Sequence, residues 1–476
     1  MNKSTMEEQL SKGKILPLLL RLAAPITIAQ IVNALYNIVD RIYIGQMPGV
    51  GSISLTGLGL TLPVIMMITA FSNLIGMGGA PLLSIRMGAG DKETAGKLEG
   101  NSLTLLLMIG AAITVIGIVF CEPIMVLFGA SPDSLPYAVS YLRIYLIGTI
   151  PVMISLGMNS FLNAQGLTFL GTMTIAIGAV VNIILDPIFI YVFHMGIAGA
   201  ALASVIAQTI SALWVLYSLN FSKKITIKLK WSDLIVTLKN VKAICSLGVS
   251  TFIFSINESL IQIYFIWLLR LGAPDIPTGD AYIGALAIIS SLNQVFFMPL
   301  KGIVQGAQPI VGYCYGAKNY KRLHKAINYA RVCSIVCATV LSGIMLLFPG
   351  QVARLFTSDT VLIGLCHTTI RLYFCMNFVI GMQMVNQNMF IAMGNTKYSF
   401  FFGIFRKVLL GAPFALIFTL IFGVYGVFMA EPVSNTISVV VTYIVFSKFM
   451  KKVKAECEAV SPGSEEPGAI TAKAAL

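Results

Sequence analysis

Twelve long apolar runs leave this chain little choice but to fold in a membrane. They lie at about 15–44, 53–80, 98–120, 135–162, 168–193, 197–219, 241–270, 281–311, 327–348, 362–391, 396–422 and 424–447. A spanning helix needs about 20 mostly apolar residues, so each run is long enough, with tilt to spare. Of the 476 residues, 57% are hydrophobic and 11% charged, and a water-soluble chain of this length could not cover that much apolar surface. Glycines and prolines recur inside the runs, as membrane helices tolerate. The start of the chain, to Lys14, is mixed in charge and is followed by a run without a small-residue cleavage site. The first run is therefore read as a span rather than a signal peptide.

The net charge of +13 raises the question of nucleic acid, but the placement of the basic residues answers it otherwise. With both termini on the cytoplasmic side, inner segments hold 24 Lys and Arg, while outer loops hold only Arg270 and Arg354. That asymmetry is the positive-inside pattern of a multi-pass protein of the cell membrane, with basic loops against anionic lipid. No basic domain or nucleic-acid motif is present, and no nucleic-acid partner is expected.

The chain also repeats itself. GIAGAALASVIAQTIS at 196–211 aligns with GVYGVFMAEPVSNTIS at 423–438, an offset of 227. At offset 228, Leu127-Phe128 faces Leu355-Phe356, Arg143 faces Arg371, Pro81 faces Pro309, Gly88-Ala89 faces Gly316-Ala317, and Gly166 faces Gly394. Six spans per copy is an even number, so the second copy enters the membrane in the same sense as the first. The expected architecture is an all-α membrane protein: twelve transmembrane helices in two pseudo-twofold-related six-helix bundles around a central cleft. The boundaries are read as an N-lobe over 1–219, a cytoplasmic linker over 220–240, a C-lobe over 241–450 and a polar cytoplasmic tail over 451–476. Two such lobes suit alternating access.

Of the 19 acids, Asp40, Asp186, Glu258 and Glu431 lie clearly inside spans. A charge at mid-bilayer costs about 2.5–3.5 kcal/mol on insertion scales, so such residues face protein or water and invite a functional reading. The bland reading of each is a structural hydrogen bond between helices. Gln30, Asn33, Asn37 and Asp40 share one face of the first span, and Ser255, Glu258 and Gln262 repeat that stripe on the seventh. In the fifth span, Asn182 and Asp186 share a face just before Pro187, which cannot donate a backbone hydrogen bond and should break the helix there. Counted at 1.5 Å per residue, Asp40 and Asp186 both sit about 6–10 Å below the outer edge. A pair of carboxylates at one depth can share a proton or hold a small cation such as Na+. The tenth span and its flanks carry Met382, Gln383, Met384 and Asn386, and the eighth carries Phe296 and Met298. Methionines, amides and aromatics of this kind line adaptable apolar sites, although single methionines more often simply pack.

The remaining chemistry is sparse. The eight cysteines include no CxxC pair and read as small apolar residues, with Cys314 placed in a loop; the three histidines are isolated. No Walker motif, metal-ligand cluster or nucleophile–base arrangement appears, so neither an enzyme nor a resident cofactor is expected. An ion gradient is then the available energy source.

Together, NIVDRIYIG in the first span, GMGGAPLLSIRMGAGD after the second, ILDPIFIY in the fifth and GIAGAALAS entering the sixth resemble the multidrug and toxic compound extrusion (MATE) family, and within it the MepA-like bacterial members. The resemblance covers about residues 12–450. It implies an antiporter that exports hydrophobic, often cationic small molecules in exchange for H+ or Na+; a monomer is expected. It also implies a first-lobe cation site at Asp40, Asn159, Asn182, Asp186 and Ser204, where Ser204 replaces the family's threonine and keeps its hydroxyl; Asn163 lies nearby. The tenth span lacks the acid of NorM-like members, which leaves Glu258 and Gln262 as the second-lobe proton or substrate site and shifts coupling toward the first lobe. Asn33, Asn37, Phe296, Met298, Met382, Gln383 and Asn386 are the expected cleft residues. The alternatives are a lipid-linked precursor flippase of the wider superfamily, which would carry extra spans and a more basic cavity, and a membrane receptor or sensor, which would carry a soluble domain.

Overall fold

The computed structural model describes residues 6–48, 50–128, 130, 132–273, 276–356 and 360–459. All regular structure among them is helical. The long segments are α1 (Ile15–Gly45), α2 (Gly51–Gly88), α3 (Lys92–Val119), α4 (Leu135–Ile147 and Thr149–Ala164), α5 (Thr168–Pro187), α6 (Ile197–Phe221), α7 (Leu238–Gly272), α8 (Ile276–Gly316), α9 (Tyr320–Leu347), α10 (Thr360–Phe374 and Ile380–Ala392), α11 (Thr396–Phe422 in three pieces) and α12 (Tyr425–Ala459). Nine helical runs are long and apolar enough to cross a membrane, and the bent pairs of α4 and α10 bring the number to eleven. With the 35 residues of α7, the long segments number twelve among the described residues.

The interruptions have local causes. The two pieces of α4 meet at 58°, around Gly148, where a Cβ would come within 2.5 Å of Val205. In α10 the 43° bend falls at a short 3-10 turn, Asn377–Val379. α5 runs into a π-helical segment at Ile188–Val192, directly after Pro187. α11 contains another at Phe405–Gly411, close before Pro413. A proline removes a backbone donor and disturbs the regular ladder beside it. The break expected at Pro187 thus takes the form of a widened turn. Cys314 corrects the loop reading: it is buried in the last turns of α8. α12 continues as helix to Ala459, with Val453 buried.

The duplication is visible in the backbone. Gly196 (φ 56°, ψ −135°) and Gly423 (φ 60°, ψ −140°) introduce α6 and α12 in the same rare conformation. Gly166 and Gly394 share φ values of 78° and 73°, and Gly90 and Lys318 share 79° and 55°. Such values favour glycine, so a shared position is a strong mark of one template. Asp91 caps α3 by accepting from the Thr94 N–H at 3.0 Å. Asn319, 228 residues on, caps α9 by accepting from the Arg322 N–H at 3.1 Å.

The helices form two compact units. The described residues of Met1–Gly13 and Ala24–Val249 make the first, and those of Lys14–Ala23 and Ser250–Leu476 make the second. In the first, the segment between α6 and α7 is strapped down by two amides. Asn101 donates to the Asp233 and Ile235 carbonyls, both at 2.9 Å, and accepts from the Thr237 N–H at 2.8 Å. Gln165 accepts from the Thr226 and Ile227 N–H groups at 3.1 and 2.9 Å. Gly100 lets the strap approach, since a Cβ there would lie 2.3 Å from the Asp233 carbonyl. The second unit packs around aromatic and aliphatic side chains that include Phe296, Phe374 and Phe428.

Candidate functional site

α1 and α5 deliver two carboxyl groups to one place in the first unit. Asp40 lies near the end of α1 and is 8% exposed; Asp186, at the end of α5, is fully buried. The two side chains are within hydrogen-bonding reach of each other. Asn182, one turn earlier on α5, donates through Nδ2 to Asp186 Oδ1 at 3.1 Å and to Ser204 Oγ of α6 at 3.3 Å. Tyr141 of α4 lies beside Ser204 and stacks on Tyr145. Asp40 Oδ1, Asp186 Oδ2 and Asn182 Oδ1 are buried without a protein partner. Buried oxygens are rarely left so. Oxygen donors of this kind suit a proton or a small hard cation.

Four of the five expected cation-site residues therefore meet. Asn159 does not join them. Its Oδ1, with that of Asn163, faces Gly171, eleven residues before Asn182 and about 16 Å away along α5. Asn33 is exposed on α1, and the side chains of Asn37, Glu258 and Gln262 fall outside the described residues. Of the expected cleft residues, Phe296 is fully buried against Phe297 and Phe374 in the core of the second unit. Met298 and Met382 are half-buried. Gln383 donates to Ser438 Oγ at 2.6 Å, and Asn386 accepts from Arg331 Nε at 2.7 Å.

The second unit contains a charged cluster that the sequence reading reached only through Glu431. Arg406 and Lys407, on the π segment of α11, are 7% and 4% exposed. Arg406 Nη1 donates to Glu431 Oε1 at 3.0 Å and to Asn435 Oδ1 at 3.2 Å. Lys407 Nζ donates to the same Glu431 oxygen at 2.9 Å, and Asn435 continues the network to Asn377 at 3.0 Å. The signal was present: two adjacent basic residues in the middle of an apolar run must find a buried acid. Glu99 was missed as well. It stands at the edge of the third apolar run, and the structure buries it completely in α3.

Comparison with known proteins places this geometry. The chain is 24% identical over 446 residues to the multidrug export protein MepA of Staphylococcus haemolyticus (strain JCSC1435), covering 93% of this chain and 96% of the relative. A crystal structure of MATE in the bent conformation superposes with TM-score 0.88 at 25% identity, over 96% of this chain and all of the other. A crystal structure of MATE in complex with MaD3S gives 0.87 at 25% identity, over 95% of this chain and all of the other. The MatE family model matches residues 25–188 and again 252–417, one copy in each half. By that double match and the fold it accompanies, this multi-pass membrane protein belongs to the MatE family of transporters.

Proposed function

We propose that the protein is a cation-coupled antiporter that exports hydrophobic, often cationic small molecules across the cell membrane by alternating access, with both termini in the cytoplasm. The observation that carries this reading is the buried Asp40–Asp186 pair, joined by Asn182 and Ser204, with carboxylate oxygens left unpartnered. An incoming H+ or Na+ neutralises the pair, and the ion gradient supplies about 2.3 kcal/mol per charge per 100 mV. Coupling follows if cation and substrate each weaken the other's binding. The relative named as a multidrug export protein supports the substrate class.

The test is transport of tetraphenylphosphonium by the full chain in proteoliposomes with an imposed proton or sodium gradient. The wild type should concentrate the dye-like cation under one of the two gradients. Asp186→Asn and Asp40→Asn should insert normally and lose gradient-driven transport by about a hundredfold, as expected for removal of an essential titratable group. Undiminished accumulation by both variants would sink the reading.

A further inference from the structure

Several buried polar groups of the first unit remain unexplained by the acid pair, and they line up. Ser155, Asn159 and Asn163 repeat every four residues along one face of α4, and Gln165 ends that helix. Ser155 Oγ donates to Gln208 Oε1 at 2.6 Å. Gln208 stands one turn from Ser204 on α6, and Ser204 is tied through Asn182 to Asp186. Further along, the Asn159 and Asn163 oxygens converge on Gly171, where a Cβ would lie 2.9 and 2.6 Å from them. At the far end, Gln165 Nε2 lies 3.5 Å from Glu99 Oε2, and the Asp233 carboxylate is the charged neighbour of Glu99.

Five atoms along this column are buried without a protein partner: Asp186 Oδ2, Asn182 Oδ1, Asn159 Oδ1, Asn163 Oδ1 and Glu99 Oε1. Native proteins satisfy such atoms with ordered water. Successive four-residue steps on a helix rise about 6 Å, a gap that one water spans with two hydrogen bonds of ordinary length. Asparagine, glutamine and serine anchor water without trapping charge. A carboxyl group at each end can give or accept a proton.

We propose that the column from Asp186 through Ser204, Gln208, Ser155, Asn159 and Asn163 to Glu99 is a hydrated proton path inside the first unit, opening toward the side expected to face the cytoplasm. The Asp186 carboxyl releases H+ to column water and is left as the carboxylate. The proton passes from water to water to Glu99, which hands it on by way of the neighbouring Asp233 carboxylate, 8% exposed, to the aqueous phase and is restored. This gives Asn159 a role at a distance from the acid pair. The proposal rests on the proton-coupled form of the reading above.

The test uses the same proteoliposomes, with a pH gradient and tetraphenylphosphonium as probe. Asn159→Leu and Gln208→Leu replace water anchors with apolar bulk. Both should slow gradient-driven transport at least tenfold, leave equilibrium tetraphenylphosphonium binding unchanged, and enlarge the rate ratio between H2O and D2O. Asn159→Ser should recover most of the rate. Glu99→Gln, which keeps the shape of the side chain, should reproduce the loss and decides the matter if a leucine variant does not fold. Wild-type rates and isotope ratios in these variants, beside an uncoupled Asp186→Asn, overturn the path and leave the coupling reading standing. Coupled, wild-type transport by Asp186→Asn overturns both.

Discussion

The acid pair of the first unit and the charged triad of the second occupy related places in one duplicated template, and they solve opposite electrostatic problems. Ser204 beside the acid pair corresponds to Glu431 at offset 227, and Asp186-Pro187 corresponds to Ala412-Pro413 at offset 226. In the first unit two carboxyl groups face each other with oxygens unpartnered. In the second, one carboxylate oxygen accepts from two of the chain's own cations. On the proposed function, the first arrangement takes its cation from outside. The second carries its cations on tethers. Duplication thus preserved the scaffold while the buried charges of the two copies diverged.

The sharpest way to break this contrast is to remove one acid from each unit and compare stability. Glu431→Gln removes the carboxylate that both Arg406 and Lys407 contact. Breaking a buried pair from one side costs about 3–5 kcal/mol, so this variant should lose most folded protein, read as monodisperse yield and melting temperature in detergent. A variant as stable as wild type would show that the triad is not held by charge.

Asp186→Asn should behave in the reverse sense. The amide replaces one of two carboxyl groups buried beside each other, and functional sites commonly hold such costs in reserve. In the absence of a gradient its thermal unfolding should rise, by about 1–2 kcal/mol in stability. A fall of similar size would mean that the pair is already satisfied and would weaken the case for an exchangeable cation. Ser204→Ala should cost about 1 kcal/mol, the worth of a hydrogen bond, because it removes one acceptor of Asn182 and leaves Asn182 bonded to Asp186. The same melting measurement checks it, and an effect above 3 kcal/mol would assign Ser204 a larger structural share than these bonds support.

The legible and illegible parts of this molecule divide along physical lines. The twelve segments and the repeat were readable because apolar length and a fixed offset are local properties of the string. The meeting of Asp40, Asn182, Asp186 and Ser204 was readable through family resemblance, and depth counting put Asp40 and Asp186 at one level. Asn159 shows the limit: its helix was named, but α4 and α5 are antiparallel neighbours joined near Gly166, which puts the C-terminal end of α4 beside the N-terminal end of α5. Arg406 and Lys407 were visible inside an apolar run, yet their pairing with Glu431 depends on how a π segment turns both side chains, and residue spacing does not report that. Phe296 looked like a cleft aromatic and is core, because aromatic type does not tell one side of a helix from the other.

The smallest expected effect is also the most instructive about the second unit. Lys407→Met takes away one of the two cations that contact Glu431. Arg406 remains 3.0 Å from Glu431, with Asn435 as a further acceptor, so the acid keeps a charged partner and the methionine fills much of the lysine's volume. Apolar replacement in buried ion clusters is often neutral or stabilising. Stability should therefore change by less than about 1 kcal/mol, in contrast to the loss expected for Glu431→Gln. If Lys407→Met proves as damaging as Glu431→Gln, the lysine rather than the arginine is the partner that holds the acid. The two cations would then be unequal, and the tether in the second unit would come down to a single ammonium group.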